Sequence, residues 1–269
     1  MQVKKVISAR LQRTCRRFLA QDAVANVLPL GDLYPPLLQV SDVYSAIQNG
    51  EVVGVCSIYR AYPIPSIVFG TARQEIKLAL AEKAICDISE EFVSLCQPGD
   101  TEIFKQNVTV LHHHTEQQMI VNFPNETESA DINVERVMKN ELELLNKFYC
   151  EHGARAWVPL QFEVGPYYCV KYGGRIVSAA GVHLVAPQIA QLGNIFTDKN
   201  YRNRGFATAC TSVLAADLAS KGRTISLFVR KDNSSAIHIY KRLGFTKAND
   251  IVFLVMRKKN CCSVWKRTL

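Results

Sequence analysis

No run of eighteen uncharged apolar residues occurs in this 269-residue chain, which excludes a membrane-spanning helix. No Cys-x-x-Cys pair occurs among its nine cysteines, Cys15, Cys56, Cys86, Cys96, Cys150, Cys169, Cys210, Cys261 and Cys262. That excludes a zinc ribbon and a thioredoxin-type redox pair. The odd count and scattered spacing suit a reducing, cytoplasmic compartment, where a thiol acts as a small core hydrophobe. Charge is not scarce enough for a fibre nor abundant enough for disorder: 48% of residues are hydrophobic and 21% charged, close to the globular average. The N-terminus lacks the uninterrupted apolar core of a secretory signal. Its Lys4, Lys5, Arg10, Arg13, Arg16 and Arg17 suit an amphipathic helix with one basic face, an organelle transit peptide being the alternative. Without secretion the sequons at Asn107, Asn125 and Asn233 carry no weight.

What the chain does have is positive charge, a net +8. An anionic partner fits: nucleic acid, an acidic membrane surface or a phosphate-rich cofactor. Simple solubility fits as well. No basic run with interleaved aromatics is present, so nucleic-acid binding is a weaker reading. The His112-His113-His114 run with Glu116 reads as a loop, and no metal is expected there. The basic tail from Arg257 to Arg267, with Cys261-Cys262, reads as a frayed terminus, a lipidated basic anchor being the alternative.

A polar stretch from Pro124 to Asp131 reads as a linker. It divides the chain into residues 1–130 and 131–269. A hairpin recurs across the divide: Tyr44, Gly50 and Val53 match Tyr168, Gly174 and Val177 at an offset of 124, around an Asn-Gly and a Gly-Gly turn. This suggests two related halves. In the first, helices are expected over Val6–Ala23 and Ala72–Leu95, with strands at Ser66–Gly70, Phe104–Leu111 and Gln118–Asn122. In the second, a helix is expected from Val134 to Gly153. Strands follow at Tyr167–Lys171, Arg175–Val185 and Ile189–Thr197. A helix Gly205–Ser220, a strand Thr224–Val229, a helix Ser234–Leu243 and a strand Ile251–Met256 complete it. The class is mixed α/β.

The informative segment runs from Ile195 to Thr208. A strand ends, a basic loop follows, and a helix starts at Gly205. The first N–H groups of a helix have no internal partner and carry partial positive charge, so a pyrophosphate fits there. Gly205 and Ala207 let backbone approach closely, and Arg202 and Arg204 add charge. Arg202-x-x-Gly205-x-Ala207 resembles the acyl-CoA signature of the GNAT superfamily. A second run, Asn233-x-x-Ala236-x-x-x-Tyr240-x-x-x-Gly244-Phe245, is similar to the one those proteins carry after their fifth strand. The resemblance spans about Tyr167 to Arg257 and is greatest to the FR47-like branch.

The resemblance implies a mixed sheet flanked by helices, in two tandem GNAT-like domains. It implies an N-acetyltransferase that moves an acetyl group from acetyl-CoA to a primary amine. Backbone of Ile195, Phe196 and Thr197, where the fourth strand splays from the fifth, would pair with the pantetheine. Arg202, Asn203, Arg204, Gly205, Phe206, Ala207 and Thr208 would hold the pyrophosphate, with Asn233, Ser235 and Tyr240 nearer the thiol end. Tyr240 would protonate the leaving sulfur. Many members carry a glutamate base on the fourth strand; here Gln191 stands there and cannot take a proton. His183, Glu163 or water held by Gln191 and Asn194 would have to serve. A non-catalytic acyl-CoA-binding module is the alternative. At the offset of 124, Arg202 and Gly205 fall opposite Leu78 and Ala81, which read as mid-helix, so the first half is expected to be a degenerate companion. The acceptor and the oligomeric state are not legible.

Overall fold

The computed structural model describes residues 1–71, 73–88, 90–104, 108–125, 132–154 and 156–259. Most of the expected linker and the tail with Cys261 and Cys262 lie outside them. In chain order the elements are β1 Gln2–Lys5, α1 Ala9–Leu19, α2 Val27–Gly31, β2 Ser41–Gln48, β3 Glu51–Tyr59, β4 Ser66–Gly70, α3 Gln74–Cys86, β5 Glu91–Cys96, α4 Thr101–Phe104 and β6 Val108–Val121. Then come β7 Glu135–Arg136, α5 Leu142–Glu151, β8 Tyr168–Tyr172, β9 Arg175–Val185, β10 Ile189–Thr197, α6 Phe206–Ala219, β11 Thr224–Arg230, α7 Ser234–Arg242 and β12 Thr246–Lys258.

The repeated hairpins form as the turn residues dictate. Asn49 and Gly50 have φ of 53° and 83°, and Gly173 and Gly174 have 56° and 75°. Two successive positive φ values match the strand twist, and glycine and asparagine supply them at least cost.

All the strands join one sheet, in the order β1-β2-β3-β4-β5-β12-β6-β11-β10-β9-β8-β7. The order is symmetric about its centre. β6, the last strand of the first half, pairs with β11 of the second, and β12, the last of the second, pairs with β5 of the first. The halves therefore exchange their final strands, and the sheet is continuous across the seam. One face carries α6 and α7 over β8–β11, a core that includes Leu192, Cys210, Leu214 and Leu227. On the other face α1 and α2 of the first half pack on β3 but also reach Leu184, Ala186 and Ile189 of the second. Five cysteines, Cys15, Cys56, Cys96, Cys169 and Cys210, are buried as free thiols. No helix among the described residues is long and apolar enough to cross a membrane.

Three sequence expectations need correction. The helix expected over Ala72–Leu95 ends at Cys86, and Glu91–Cys96 is a strand with alternating burial; its period of two is the discriminating signal. The helix expected from Val134 starts at Leu142, after the short strand β7 and a 3-10 turn at Lys139–Glu141. His112, His113 and His114 lie on β6, not in a loop. The His114 ring stacks on Phe253 at 4.7 Å and pairs with Glu116 at 2.8 Å.

Candidate active site

β10 and β11 run parallel and pair over only four residues, from Ile189↔Thr224 to Leu192↔Leu227. Beyond Leu192, β10 keeps its partner β9 on one side but has none on the other, while β11 continues beside β6. A cleft opens between them, and Ile195, Phe196 and Thr197 form its wall. An unpaired strand edge is a row of donors and acceptors waiting for a partner.

The strands at the mouth of the cleft are irregular twice over. Gln191↔Leu184 and Leu192↔Val182 leave His183 as an extra residue on β9. Gly193↔Gly181 and Phe196↔Ala179 leave one extra residue on β10, where Asn194 has φ 53°. Two adjacent bulges re-aim side chains and end the ladder. The opposed glycines between them are needed for space. A Cβ on Gly193 would overlap the His183 ring, and one on Gly181 would overlap the Tyr167 ring. The two rings thus lie side by side on the α1/α2/α5 face of the sheet.

Below the cleft, Gly205 caps α6 with φ 79°, a conformation that strains any side chain. The first intrahelical bond runs from Ala209 N–H to Gly205 O at 2.9 Å, so the N–H groups of Phe206, Ala207 and Thr208 make none. No side chain caps them. Between β10 and α6 the expected loop contains a 3-10 turn, Lys199–Tyr201, held by the Asp198 side chain accepting from Asn200 N–H. Arg202 folds back, its Nε donating to Thr197 O at 3.2 Å, and Arg204 lies over the Tyr201 ring at 5.2 Å. Asn203 takes a positive φ of 61°.

Tyr240 is buried on the α6/α7 face, in the cluster that Ile195 and Phe206 also join. Its hydroxyl makes no hydrogen bond to another described residue, and burial pushes its pKa up to about 12. It therefore holds its proton at neutral pH. Asn233 is the N-cap of α7: its Oδ1 accepts from Ala236 N–H at 3.1 Å, leaving the amide nitrogen uncommitted. Ser235 is exposed on the first turn of α7.

His183 lies across the sheet from Tyr240. Burial pushes its pKa down, against an opposing interaction with the Asn194 side chain, so the imidazole is neutral at pH 7. Its Nε2 is shut off from solvent and has no partner among the described residues, an arrangement that costs about 1–3 kcal/mol. Gln191 is 1% exposed with Oε1 also unpartnered. Glu163, by contrast, is exposed at the end of a 3-10 turn and makes no ion pair or hydrogen bond to another described residue. The structure thus packs Ile195, Tyr201, Phe206 and Tyr240 in one cluster, sets the His183 ring over Gly193 on the other face of the sheet, and leaves Glu163 apart. The Gly181–Gly193 pair and the packing of the Tyr167 ring over it were not expected from the sequence. The available signal was Gly193-Asn194 inside an otherwise apolar strand, which marks a bulge.

The FR47-like protein family is matched over residues 172–254. An uncharacterised N-acetyltransferase of Methanocaldococcus jannaschii is 39% identical over 59 residues, 22% of this chain and 26% of that protein. The chain thus spans about a quarter of that relative's length. A GNAT-family protein from Novosphingobium aromaticivorans superimposes with a TM-score of 0.62 at 18% identity, over 86% of this chain and 97% of its own. A tandem GNAT protein from the clavulanic acid biosynthesis pathway does so at 0.58 and 14%, over 95% and 98%. The whole fold is accordingly a tandem GNAT fold.

Proposed function

We propose that this protein is an N-acetyltransferase that moves the acetyl group of acetyl-CoA to a primary amine by direct attack. The observation that carries the reading is the cleft itself: a strand edge freed beyond Leu192, continued by a helix whose Phe206, Ala207 and Thr208 N–H groups are unbonded. In this reading residues 131–269 are the catalytic unit, and residues 1–130 are a GNAT-like companion. Gly205 lets the diphosphate reach those N–H groups, while Arg202, Asn203 and Arg204 surround it. Backbone of Ile195, Phe196 and Thr197 pairs with the pantetheine, and the amide nitrogen of Asn233, beside Ser235, is available to its polar groups.

Acetyl-CoA supplies an activated thioester. His183 Nε2 takes the proton that the amine sheds as the C–N bond forms and the C–S bond breaks. A neutral imidazole suits that task, and Gln191 does not. Tyr240 hands its hydroxyl proton to the departing sulfur and is reprotonated from solvent. The products are the amide and the free thiol of CoA. His183 and Tyr240 lie on opposite faces of the sheet, so acceptor and leaving group have separate approaches. Glu163, exposed and apart from the cleft, takes no part in this reading.

The test is thiol release from acetyl-CoA in the presence of a panel of primary amines, from amino acids to a lysine peptide. Release that requires one class of amine supports the reading. Binding of acetyl-CoA without release by any amine would favour a non-catalytic acyl-CoA module.

A further inference from the structure

The first half has a cleft of its own, because β4 and β5 pair only through Ser66↔Val93 and Ile67↔Ser94 and then part. A cavity of about 510 Å³ starts between them, at Val68 and Leu95, and reaches Phe228 on β11 of the second half. Its floor follows the register of the sheet. Phe228 lies opposite Gln118, Gln118 opposite Asn249, and Val252, three residues on, opposite Cys96. From β5 to β11 is three strand steps, roughly 14 Å. Asn26 and Val27, where α2 begins, line it from the helix side.

The Phe228 end meets the second cleft. Leu192↔Leu227 is the last pair of β10 and β11. Both leucines belong to the α6/α7 core, and strand side chains alternate between faces. The next residues, Gly193 and Phe228, therefore face the other side, across the opening from each other. Phe228 packs there on the α1/α2 cluster, and the His183 ring stands over Gly193. Phe228 is thus the wall between the cavity and His183. The polar groups along the cavity are already engaged. Gln118, 1% exposed, donates from Nε2 to Val24 O at 2.8 Å and to Ser226 Oγ at 3.0 Å, and its Oε1 accepts from Asn249 Nδ2 at 2.8 Å. Arg73 pairs with Glu75 at 2.7 Å and Lys77 with Asp100 at 2.8 Å. Asp22, exposed at the rim, accepts from Ala25 N–H at 3.0 Å.

We propose that this cavity holds the body of the acceptor, a primary amine with an uncharged apolar chain or ring, its nitrogen at the Phe228 end toward His183. The inference rests on the acetyl-transfer reading above. It gives the first half a task that needs no cofactor of its own: its parted strands and its α2 supply the acceptor's pocket for chemistry done on the second. A cavity of this size, walled by Val68, Phe69, Leu95 and Phe228, suits a small molecule. An amino acid would bring a carboxylate, and a polyamine a second ammonium, between walls whose charges are already paired, and a buried charge without a partner is costly. The reaction is the one given above: the amine nitrogen bonds to the acetyl carbon, the C–S bond breaks, and the amine's proton passes to His183 Nε2.

Thiol release from acetyl-CoA with straight-chain amines, from butylamine to decylamine, reads the cavity directly. kcat/KM should rise about fourfold per added methylene, the worth of a buried CH2. Among six-carbon compounds, hexanediamine and aminohexanoic acid should each fall below hexylamine by roughly tenfold or more. Leu95→Trp fills the end far from His183. It should lower the ratio of decylamine to butylamine kcat/KM roughly tenfold or more, with the Kd for acetyl-CoA within about threefold. A flat series, a charged six-carbon compound as good as hexylamine, or an unaltered ratio in a folded Leu95→Trp protein overturns the proposal. So does a gain that follows the length of the acyl chain, from acetyl to hexanoyl, and not that of the amine, since the cavity would then take the acyl group. If Leu95→Trp fails to fold, the six-carbon comparison on the parent decides alone. A parent that transfers to no amine overturns the functional reading instead, and calorimetry of decylamine against butylamine on the parent and on Leu95→Trp still decides what the cavity holds.

Discussion

The two halves open the same cleft and fill it differently. In the second half β10 and β11 part after four pairs, and eight residues, 198–205, lead into α6. In the first half β4 and β5 part after two pairs, Ser66↔Val93 and Ile67↔Ser94, but only three residues, 71–73, lead into α3. That link has no room for a phosphate loop. Beside the start of α3 sits the protein's own anion. Asp100 accepts from Gln74 Nε2 at 2.9 Å and from Lys77 Nζ at 2.8 Å through each oxygen, and both charged side chains are buried. The throat of this cleft remains as a cavity of about 510 Å³ walled by Val68, Phe69, Leu95 and Phe228. One topology, with one change of loop length and one internal carboxylate, leaves the first N–H groups of α6 without intrahelical partners in one half and sets a buried Lys77–Asp100 pair beside the helix start in the other.

Breaking the internal pair should have the largest effect on stability. Lys77→Met leaves Asp100 buried and uncompensated, a loss of about 3–5 kcal/mol. At roughly 2–4 °C per kcal/mol the Tm should fall by about 10 °C. Adding Asp100→Leu should restore most of it, and acetyl-CoA affinity should not change in either variant. A Lys77→Met protein as stable as the parent would mean that the pair does not fill the first cleft.

Tyr240 has no role in the first cleft, so its loss should be felt in the second alone. Tyr240→Phe removes one oxygen and keeps the packing on Phe245, whose ring centroid lies 5.9 Å away. Steady-state kinetics should show kcat down about 10²-fold, the low end for general acid catalysis, with acetyl-CoA Kd within about threefold. Unchanged kcat, with chemistry rate-limiting, would make Tyr240 a packing residue.

A smaller effect sharpens the seam between the halves. Asp32 follows α2, is buried, and accepts from Ser57 Oγ at 2.5 Å. Burial raises its pKa to about 7. The folded protein therefore holds this proton where the unfolded chain has lost it. The contribution to stability is full below about pH 3.9 and is lost as pH rises through 7. Asp32→Asn should raise the Tm over the parent above neutrality and leave it unchanged in acid. A variant that gains equally at both extremes would contradict the buried-carboxyl account.

Much of the second half was legible because its signals are local. Gly205 and Gly222 punctuate α6, and the Gly-Gly turn sets the hairpin. The exchange of β6 and β12 was not legible, because strand order depends on partners far apart in sequence. The comparison of the halves at an offset of 124 was also out of register at the site. The hairpins align at that offset, but eight fewer residues separate the first hairpin turn from its helix start, five of them in the link itself, so Gly205 corresponds to Arg73 at the start of α3, not to Ala81. The first half still lacks the phosphate loop, for a different reason. His183 carries no spacing signal. Its place over Gly193 comes from two bulges that no local pattern announces.

The central claim is that one cleft of the two binds acetyl-CoA, through the start of α6. Isothermal titration calorimetry of acetyl-CoA on the intact chain tests it most directly, with Gly205→Val as the control. A β-branched residue is strained at φ 79° and crowds the N–H groups that would hold the diphosphate. The account predicts one site per chain in the parent and no measurable binding in a folded Gly205→Val protein. Two sites per chain, or undiminished binding in the variant, would contradict it.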